Sequence, residues 1–270
     1  MATSRTTPIR ELSVHMDKNC INHGDRGELI ATLLVMQARD ALAKSTGQRW
    51  VYVHKFIEKL LGASPSTATS MPYNVCSGPS GEGRQSLADR FKNSRMWFNH
   101  VLKIQKADLI NVRHLWKFIT RGAMVLCAND QAGVDIVLPV CYSDSPLSPE
   151  NVTAVLIQVK NSTSFGKDIH AYLFDTMDPF KIKLFDTDME KPLPVIIRMV
   201  FVLGSNEGAV KYVTPPCTTW QSNRCNTYTS YGIWCAGISR ETFPVIGDDG
   251  PAYRKVLDHT RLPHQESLRK

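Results

Sequence analysis

Two apolar stretches decide the fold: AGVDIVLPV at residues 132–140 and TAVLIQVKN at residues 153–161. Each is short, rich in β-branched residues and bounded by turn-forming residues, which is typical of buried strands. Each also carries a charge inside an apolar run, Asp135 in the first and Lys160 in the second. Because burying an unpaired charge is costly, these two residues are the first candidates for a functional site.

The spacing of the two stretches favours an antiparallel hairpin. Its turn would lie in PLSPEN, residues 146–151, and pairing across it places Asp135 opposite residues 158–160. Gln158 and Lys160 share a face of their strand, because side chains alternate along a strand. The sequence therefore predicts that a carboxylate, an amide oxygen and an ammonium group meet at one end of a sheet.

Upstream of the hairpin the chain favours helices. ELIATLLVMQARDALAKSTG (28–47) has apolar residues at helical spacing and ends at a glycine that can stop a helix. RWVYVHKFIEKLLG (49–62) favours a short helix or a passage from strand to helix. Residues 63–84 are rich in Ser, Gly and Pro and predict a loop. Two more helices are expected near 86–105 and 108–121.

The remaining segments alternate between strand and helix patterns. They are a strand at 123–129, a weaker helix at 165–177, strands at 194–204 and 232–238, and a closing helix at 252–260. This order predicts an α/β fold with a central mixed sheet flanked by helices and a helical and loop insertion at 46–121, between the first helix and the first strand. We expect an extension at 1–26, a single domain at 27–260 and a polar tail at 261–270.

Glu28 adds a second carboxylate, near the start of the first long helix, where an acid also suits the helix dipole. Packing of that helix on the sheet would bring its first turn to Asp135. Mg²⁺ and Mn²⁺ prefer oxygen ligands. We therefore expect Asp135, the side-chain oxygen of Gln158, the backbone carbonyl of Val159, and Glu28 (directly or through water) to hold such a metal. Lys160 would then orient the attacking water or stabilise negative charge.

The segments ELIATLLVMQARD, RGAMVLCAN, GVDIVLPV and LIQVKN, in this order, resemble the core of the PD-(D/E)xK (restriction-endonuclease-like) nuclease superfamily. The pair GVDIV and LIQVK is most similar to its Mrr-type and resolvase-like branches, and the whole chain is similar to uncharacterised fungal proteins with this core. The resemblance spans about residues 27–161. It implies an α-β-β-β-α-β core and metal-dependent cleavage of DNA by a catalytic set of Glu28, Asp135, Gln158 and Lys160.

The chain departs from the pattern of this superfamily at two positions. Val134 stands where the name of the motif has proline. Gln158 stands where the motif has an acid, which removes one negative charge from the expected metal site. A second hypothesis follows: a catalytically inactive nuclease-like domain that acts as a nucleic-acid-binding or protein-interaction module.

The net charge of +7 favours a polyanionic partner, and DNA is the expected one. Basic residues are concentrated in 84–121. The candidates for contact with nucleic acid are Arg84, Arg90, Lys92, Arg95, Lys103, Lys106 and Asn161. The alternative for the basic residues is a solvated helix face, and the interleaved aromatic residues Trp97, Phe98 and Trp116 are assigned to the core.

Other classes of protein have little support in the sequence. Seven cysteines without a CxxC pair disfavour a structural zinc site. SGPSGEG (77–83) lacks the Lys-Ser/Thr of a P-loop. No signal peptide and no apolar run of membrane-spanning length is apparent, so we expect no membrane partner and a place in the nucleus or cytoplasm. A homodimer and a place within a larger protein are both compatible with the sequence.

Overall fold

The computed structural model describes residues 7–15, 21–62, 70–72, 85–129, 131–142, 146–185, 195–213 and 228–258. Seven α-helices occur in these residues: α1 Pro8–His15, α2 His23–Thr46, α3 Val53–Leu61, α4 Leu87–Arg90, α5 Val112–Arg121, α6 Ala171–Thr176 and α7 Gly250–Asp258. Nine strands occur: β1 Val51–Tyr52, β2 Arg95–Met96, β3 His100–Lys103, β4 Ala123–Leu126, β5 Ile136–Cys141, β6 Val152–Lys160, β7 Val195–Val202, β8 Ala209–Val213 and β9 Thr229–Ala236. Short 3₁₀ helices span Ala107–Leu109, Pro149–Asn151 and Pro244–Asp249.

The described strands form one mixed sheet in the order β1-β2-β5-β6-β7-β9-β8, and β4 pairs with β3 and with β5. β5 and β6 are antiparallel, and Ile136 lies opposite Ile157. β6, β7 and β9 run parallel to one another. The predicted hairpin is therefore confirmed, as is the prediction of a mixed sheet flanked by helices.

Helices cover both faces of this sheet. α2, α3 and α7 pack on one face against residues such as Val155 and Ile157, and we call it the α2 face. α5 and α6 pack on the other face against residues such as Ala154 and Leu156, and we call it the α5 face. Burial on both faces explains why β5, β6 and β7 are almost continuously apolar in sequence.

The prediction of a helix near 86–105 was wrong. That interval contains the short helix α4 followed by β2 and β3, so the expected helical and loop insertion also contributes three strands, β1 to β3, to the sheet. Its aromatic and β-branched residues suit strands, whereas its many basic residues suggested a solvated helix. Phe98 is fully buried, as predicted, although it follows a strand and does not lie on a helix.

The first long helix begins at His23, four residues earlier than predicted from Gly27. The side chain of Asn22 caps it by accepting a hydrogen bond from the N–H of Asp25 at 2.8 Å. Glu28 therefore lies in the second turn, and the prediction that it gains from the helix dipole in the first turn was wrong, because Asp25 occupies that place. The predicted end at Gly47 is confirmed by its left-handed backbone.

Strand β8 was not predicted, whereas β7, β9 and the closing helix α7 were. The expected tail at 261–270, the glycine-rich stretch at 77–83 and Arg84 lie outside the described residues. Cys127, Cys141 and Cys235 are buried. In the part of the chain that the structure describes, no helix is both long and apolar enough to cross a membrane.

Candidate active site

Asp135 lies immediately before β5, where the pairing with β6 slips by one residue. Its N–H donates to the carbonyl of Ile157 at 2.9 Å, although Ile157 is the register partner of Ile136. Its carboxylate Oδ2 accepts a hydrogen bond from the N–H of Val159 at 2.6 Å. A slipped residue of this kind redirects a side chain at the end of a strand, and here it fixes the carboxylate against β6.

Gln158 lies on β6 and follows Ile157, the residue whose carbonyl accepts the Asp135 N–H. Its residue is only 5% exposed, and its amide oxygen Oε1 is buried without a hydrogen-bond partner. Buried amide oxygens usually accept a hydrogen bond, because a buried oxygen without a partner loses the hydrogen bonds it made to water in the unfolded chain. Lys160 follows on the same face of the strand and is half-buried where β6 ends.

Gly27 brings α2 against the end of β6. A Cβ atom at this position would lie 3.1 Å from Val159 Cγ1 and 3.1 Å from Asn161 Cβ, which is closer than side chains normally pack. A glycine therefore permits the close approach of helix and strand. The next residue, Glu28, is thereby placed beside the end of β6 on the α2 face, whereas Gln158 and Lys160 lie on the α5 face.

Lys103 brings a second cation to Glu28. It ends β3, and its Nζ lies 3.5 Å from Glu28 Oε2. The side chains of Lys103 and Glu28 are 33% and 20% exposed, so the pair is partly shielded from water. The sequence assigned Lys103 only to contact with nucleic acid. Its place beside Glu28 was missed, because β3 was predicted as part of a helix and its parallel pairing with β4 is not visible in the sequence.

The surroundings of the Glu28 and Asp135 carboxylates raise the pKa of both and so favour their protonated forms. Burial raises the pKa of Glu28 above the ordinary value, Asp135 and Asp25 raise it further, and Lys103 lowers it. Burial likewise raises the pKa of Asp135, against the opposing effects of the Val159 N–H, Lys160 and Lys103. A bound cation would relieve the repulsion between two partly buried acids, so the site is prepared to gain from one.

Cys127 contributes its backbone to this cluster. Its N–H donates to the carbonyl oxygen of Asp135 at 2.8 Å, which ties β4 to the start of β5. Burial, followed by the charge of Asp135, raises the pKa of its thiol. A thiol held in its protonated form is a poor metal ligand, so the donors that the site offers to a cation are oxygens.

The residues fit a hard divalent cation better than a soft one. Within the described residues no group of three or more His, Cys, Asp or Glu side chains could hold a metal ion. The oxygen donors at this end of β6 are the neighbouring carboxylates of Glu28 and Asp135 and, on the α5 face of the strand, the unpartnered amide oxygen of Gln158. Mg²⁺ accepts such a set, because it uses one or two carboxylates and keeps several waters.

The other candidates for nucleic-acid contact divide between two places. Asn161 follows β6 and is 8% exposed, and Lys106 is exposed after β3, so both lie near the end of the sheet where Asp135 is found. Arg95 pairs with Cys141 at the far end of β5, which is about 20 Å away at 3.3 Å per residue. Arg90 and Lys92 lie on or just after α4, and Arg90 packs over Tyr142 at 5.4 Å.

The structure thus brings Asp135 close to Glu28, Lys103 and Lys160 at one end of β6. Gln158 and Lys160 lie on the α5 face of the strand, whereas α2, which carries Glu28, meets the strand on the α2 face at Val159. It leaves Arg90, Lys92 and Arg95 at the opposite end of β5. Comparison of the chain with protein-family models, with curated proteins and with solved structures found no match.

Proposed function

We propose that this protein hydrolyses phosphodiester bonds in DNA with a divalent metal ion, Mg²⁺ or Mn²⁺, at a site of the PD-(D/E)xK type. The observation that carries the proposal is the buried, unpartnered amide oxygen of Gln158. It lies on the strand whose next N–H holds the carboxylate of Asp135. A buried, unpartnered oxygen on the strand that also fixes one of two neighbouring acids of raised pKa supports a cation site at the end of β6.

The order of elements supports the finer assignment of the fold. α2 is followed along the chain by β4, β5, β6, α6 and β7, with the segment from β1 to α5 inserted after α2. This sequence of helix, three strands, helix and strand is the one implied by the resemblance to the restriction-endonuclease-like core. The acids and the lysine of the motif occupy the corresponding elements: Glu28 on α2, Asp135 before β5, and Lys160 on β6.

Asp135 would hold the cation at the end of β6, together with the carbonyl of Val159 as predicted from the sequence. Glu28 would reach the cation from the α2 face, directly or through water, and Gln158 would reach it from the α5 face. When bound, the cation would neutralise charge on the phosphate and acidify an adjacent water. The Val159 N–H keeps the Asp135 carboxylate in one orientation. The carboxylate therefore does not have to reorient when it binds the cation.

The two lysines would act on the phosphate and on Glu28. Lys160 lies at the end of β6, on the same face of the strand as Gln158. Its ammonium group would stabilise the negative charge that develops on the phosphate in the transition state. Lys103 holds Glu28 in the absence of substrate. Lys103 can exchange this partner for a phosphate oxygen, because an ion pair at 3.5 Å in a partly exposed position is weak.

Cleavage of supercoiled plasmid DNA in Mg²⁺ tests the proposal. We expect nicking by the wild-type protein, loss of it in EDTA, and a loss of at least about 100-fold in Asp135→Asn and Lys160→Met. Asp248→Asn and Lys59→Met are matched controls, because both residues are exposed and distant in sequence from the site. Wild-type rates in Asp135→Asn or Lys160→Met would exclude this site as the source of cleavage.

A second candidate function has its own support. Both acids have donors within the protein, Glu28 in Lys103 and Asp135 in the N–H of Val159. Together with Gln158 in place of an acid, this favours an inactive nuclease-like domain that binds nucleic acid or a protein. For nucleic-acid binding, this candidate predicts binding to DNA that is equal in EDTA and in Mg²⁺, depends on salt, and occurs without cleavage in either.

A further inference from the structure

A cavity of about 620 Å³ lies beside the loop that leads into Asp135. Its wall is formed by the 3₁₀ helix after β3, by that loop, by the end of α6 and by the turn at 181–183. The volume is within the range of pockets that hold small organic ligands. The polar and charged residues that line it are Asp108, Gln131, Asp175, Thr176, Lys181 and Lys183.

The cavity is joined to the candidate active site by a short, tightly packed segment. Gln131 precedes Asp135 by four residues, so their Cα atoms are at most about 14 Å apart. Within this segment, a Cβ on Gly133 would lie 2.2 Å from the carbonyl oxygen of Thr176, so the loop rests directly on the end of α6. Since successive phosphates of a strand are spaced by about 3.4 Å along a duplex, the cavity is within a few nucleotides of a phosphate at Asp135.

Gln131 provides the first indication of a ligand. Its amide oxygen and its amide nitrogen are both buried, and neither has a hydrogen-bond partner. Both groups are shielded from the cavity in this rotamer, so the side chain must turn to meet a ligand there. Because a buried amide with both groups unpaired is unfavourable, a ligand that pairs with the turned side chain gains from relieving it. A glutamine amide presents an acceptor and a donor side by side, and this pattern matches the donor and acceptor groups on the edge of a nucleobase.

Lys183 provides a second and independent indication. Among the described residues it is the one non-glycine position with positive φ, at 59°. This left-handed conformation suits glycine and strains a lysine. Strained residues are found at ligand sites more often than elsewhere, because the surrounding structure retains them for what they contact. Here the retained lysine lines the cavity together with Lys181.

We propose that this cavity binds a single unpaired nucleotide of the DNA strand that is cleaved. Gln131 pairs with the edge of the base after rotation of its side chain, and Lys181 and Lys183 contact the phosphate. Asp108 and Asp175 balance the two lysines, which disfavours a polyphosphate and suits one nucleotide whose base amino group donates to a carboxylate. The identity of the strand rests on the proposed function, and the inference predicts a preference for single-stranded or locally unpaired DNA.

Binding of the four deoxynucleoside 5′-monophosphates, measured by calorimetry in EDTA, tests the cavity by itself. We expect at least one to bind the wild-type protein and to bind about tenfold more weakly to Gln131→Leu and Lys181→Met. Lys59→Met, which removes an exposed lysine on α3, should bind as the wild type does. Lys183→Gly should weaken binding and raise the melting temperature, because glycine relieves the strained backbone.

The variant Asp135→Asn distinguishes the proposal of a nucleotide-binding cavity from the proposal of nuclease activity. If the proposal is right, this variant binds the nucleotide with unchanged affinity although it no longer cleaves DNA. The nucleotide-binding proposal is overturned if none of the four nucleotides binds the wild-type protein, or if Gln131→Leu binds with wild-type affinity. Either result would leave the proposed nuclease activity unaffected. Nucleotide binding that Gln131→Leu weakens, in a wild-type protein that never cleaves DNA, supports the cavity and overturns the nuclease.

Discussion

The backbone N–H of Val159, the middle residue of the Gln158–Lys160 segment, donates to Oδ2 of Asp135 at 2.6 Å. This bond joins the two strands that carry the charged residues and fixes the carboxylate at a point where the ladder has slipped. A neutral donor compensates only part of the burial of a carboxylate, and the pKa of Asp135 is accordingly raised. The partly buried charge at this position leads to predictions about stability as well as activity.

Asp135→Asn should stabilise the metal-free protein while abolishing cleavage. The amide oxygen of asparagine can accept the Val159 N–H, and the unfavourable burial of a charge is removed. We expect a gain of about 1 kcal/mol in the free energy of unfolding at pH 7, typical of active-site substitutions that exchange function for stability. Urea unfolding in EDTA measures it, and Asp248→Asn, at a carboxylate that is 91% exposed, should change little.

The gain from Asp135→Asn should shrink as the solution is acidified. Because the folded-state pKa of Asp135 is raised, the folded protein binds a proton more tightly than the unfolded chain, and stability falls as pH rises through that pKa. Below it, the wild-type residue is protonated and resembles asparagine. Unfolding of both proteins between pH 7 and pH 4 should show the difference narrowing, and a difference that widens toward acid would contradict the raised pKa.

Gly27→Leu should destabilise the protein and reduce cleavage together. A side chain here would collide with Val159 and Asn161, and α2 would move away from β6 and carry Glu28 with it. Overpacking of this kind costs about 2 kcal/mol. Gly24→Leu is the matched control on the same helix, because Gly24 is exposed and a Cβ there meets nothing closer than 3.4 Å. Equal stabilities of the two variants would show that the close approach at Gly27 is unimportant.

Arg198→Ala should be among the most destabilising single substitutions. Arg198 is fully buried on β7 and donates to the carbonyl of Phe174 and to Ser230 Oγ, both at 2.7 Å. Its loss removes two charged hydrogen bonds that tie α6 to the sheet and leaves a cavity, which we expect to cost about 3 kcal/mol. Arg240→Ala, at an arginine that is 73% exposed, should stay within about 0.5 kcal/mol in the same unfolding measurement.

The hairpin and its charged residues could be predicted because buried strands produce a recognisable local pattern of apolar residues in the sequence. β5 and β6 are continuous apolar runs joined by only ten residues, 142–151, so the register could be predicted to within one residue. The slip at Asp135 and its bond to Val159 could not be predicted, because they depend on backbone geometry that no side-chain pattern encodes.

The parts of the site that escaped prediction depend on contacts between distant segments. Lys103 meets Glu28 because β3 pairs in parallel with β4, and a two- to four-residue strand among basic residues carries too little pattern to be distinguished from a helix. The start of α2 was placed late because GDRG has the composition of a loop, whereas Gly27 is selected by its contact with β6. In both cases tertiary packing outweighs local preference.

Binding of Mn²⁺, followed by electron paramagnetic resonance, tests most directly whether Glu28, Asp135 and Gln158 hold a cation. Titration of the wild-type protein should show one bound ion, and Asp135→Asn and Gln158→Leu should each lose it or bind it at least about tenfold more weakly. Asp248→Asn should bind as the wild type does. A wild-type protein that binds no ion, or an isotherm unchanged by Asp135→Asn and Gln158→Leu, would contradict a metal site at the end of β6.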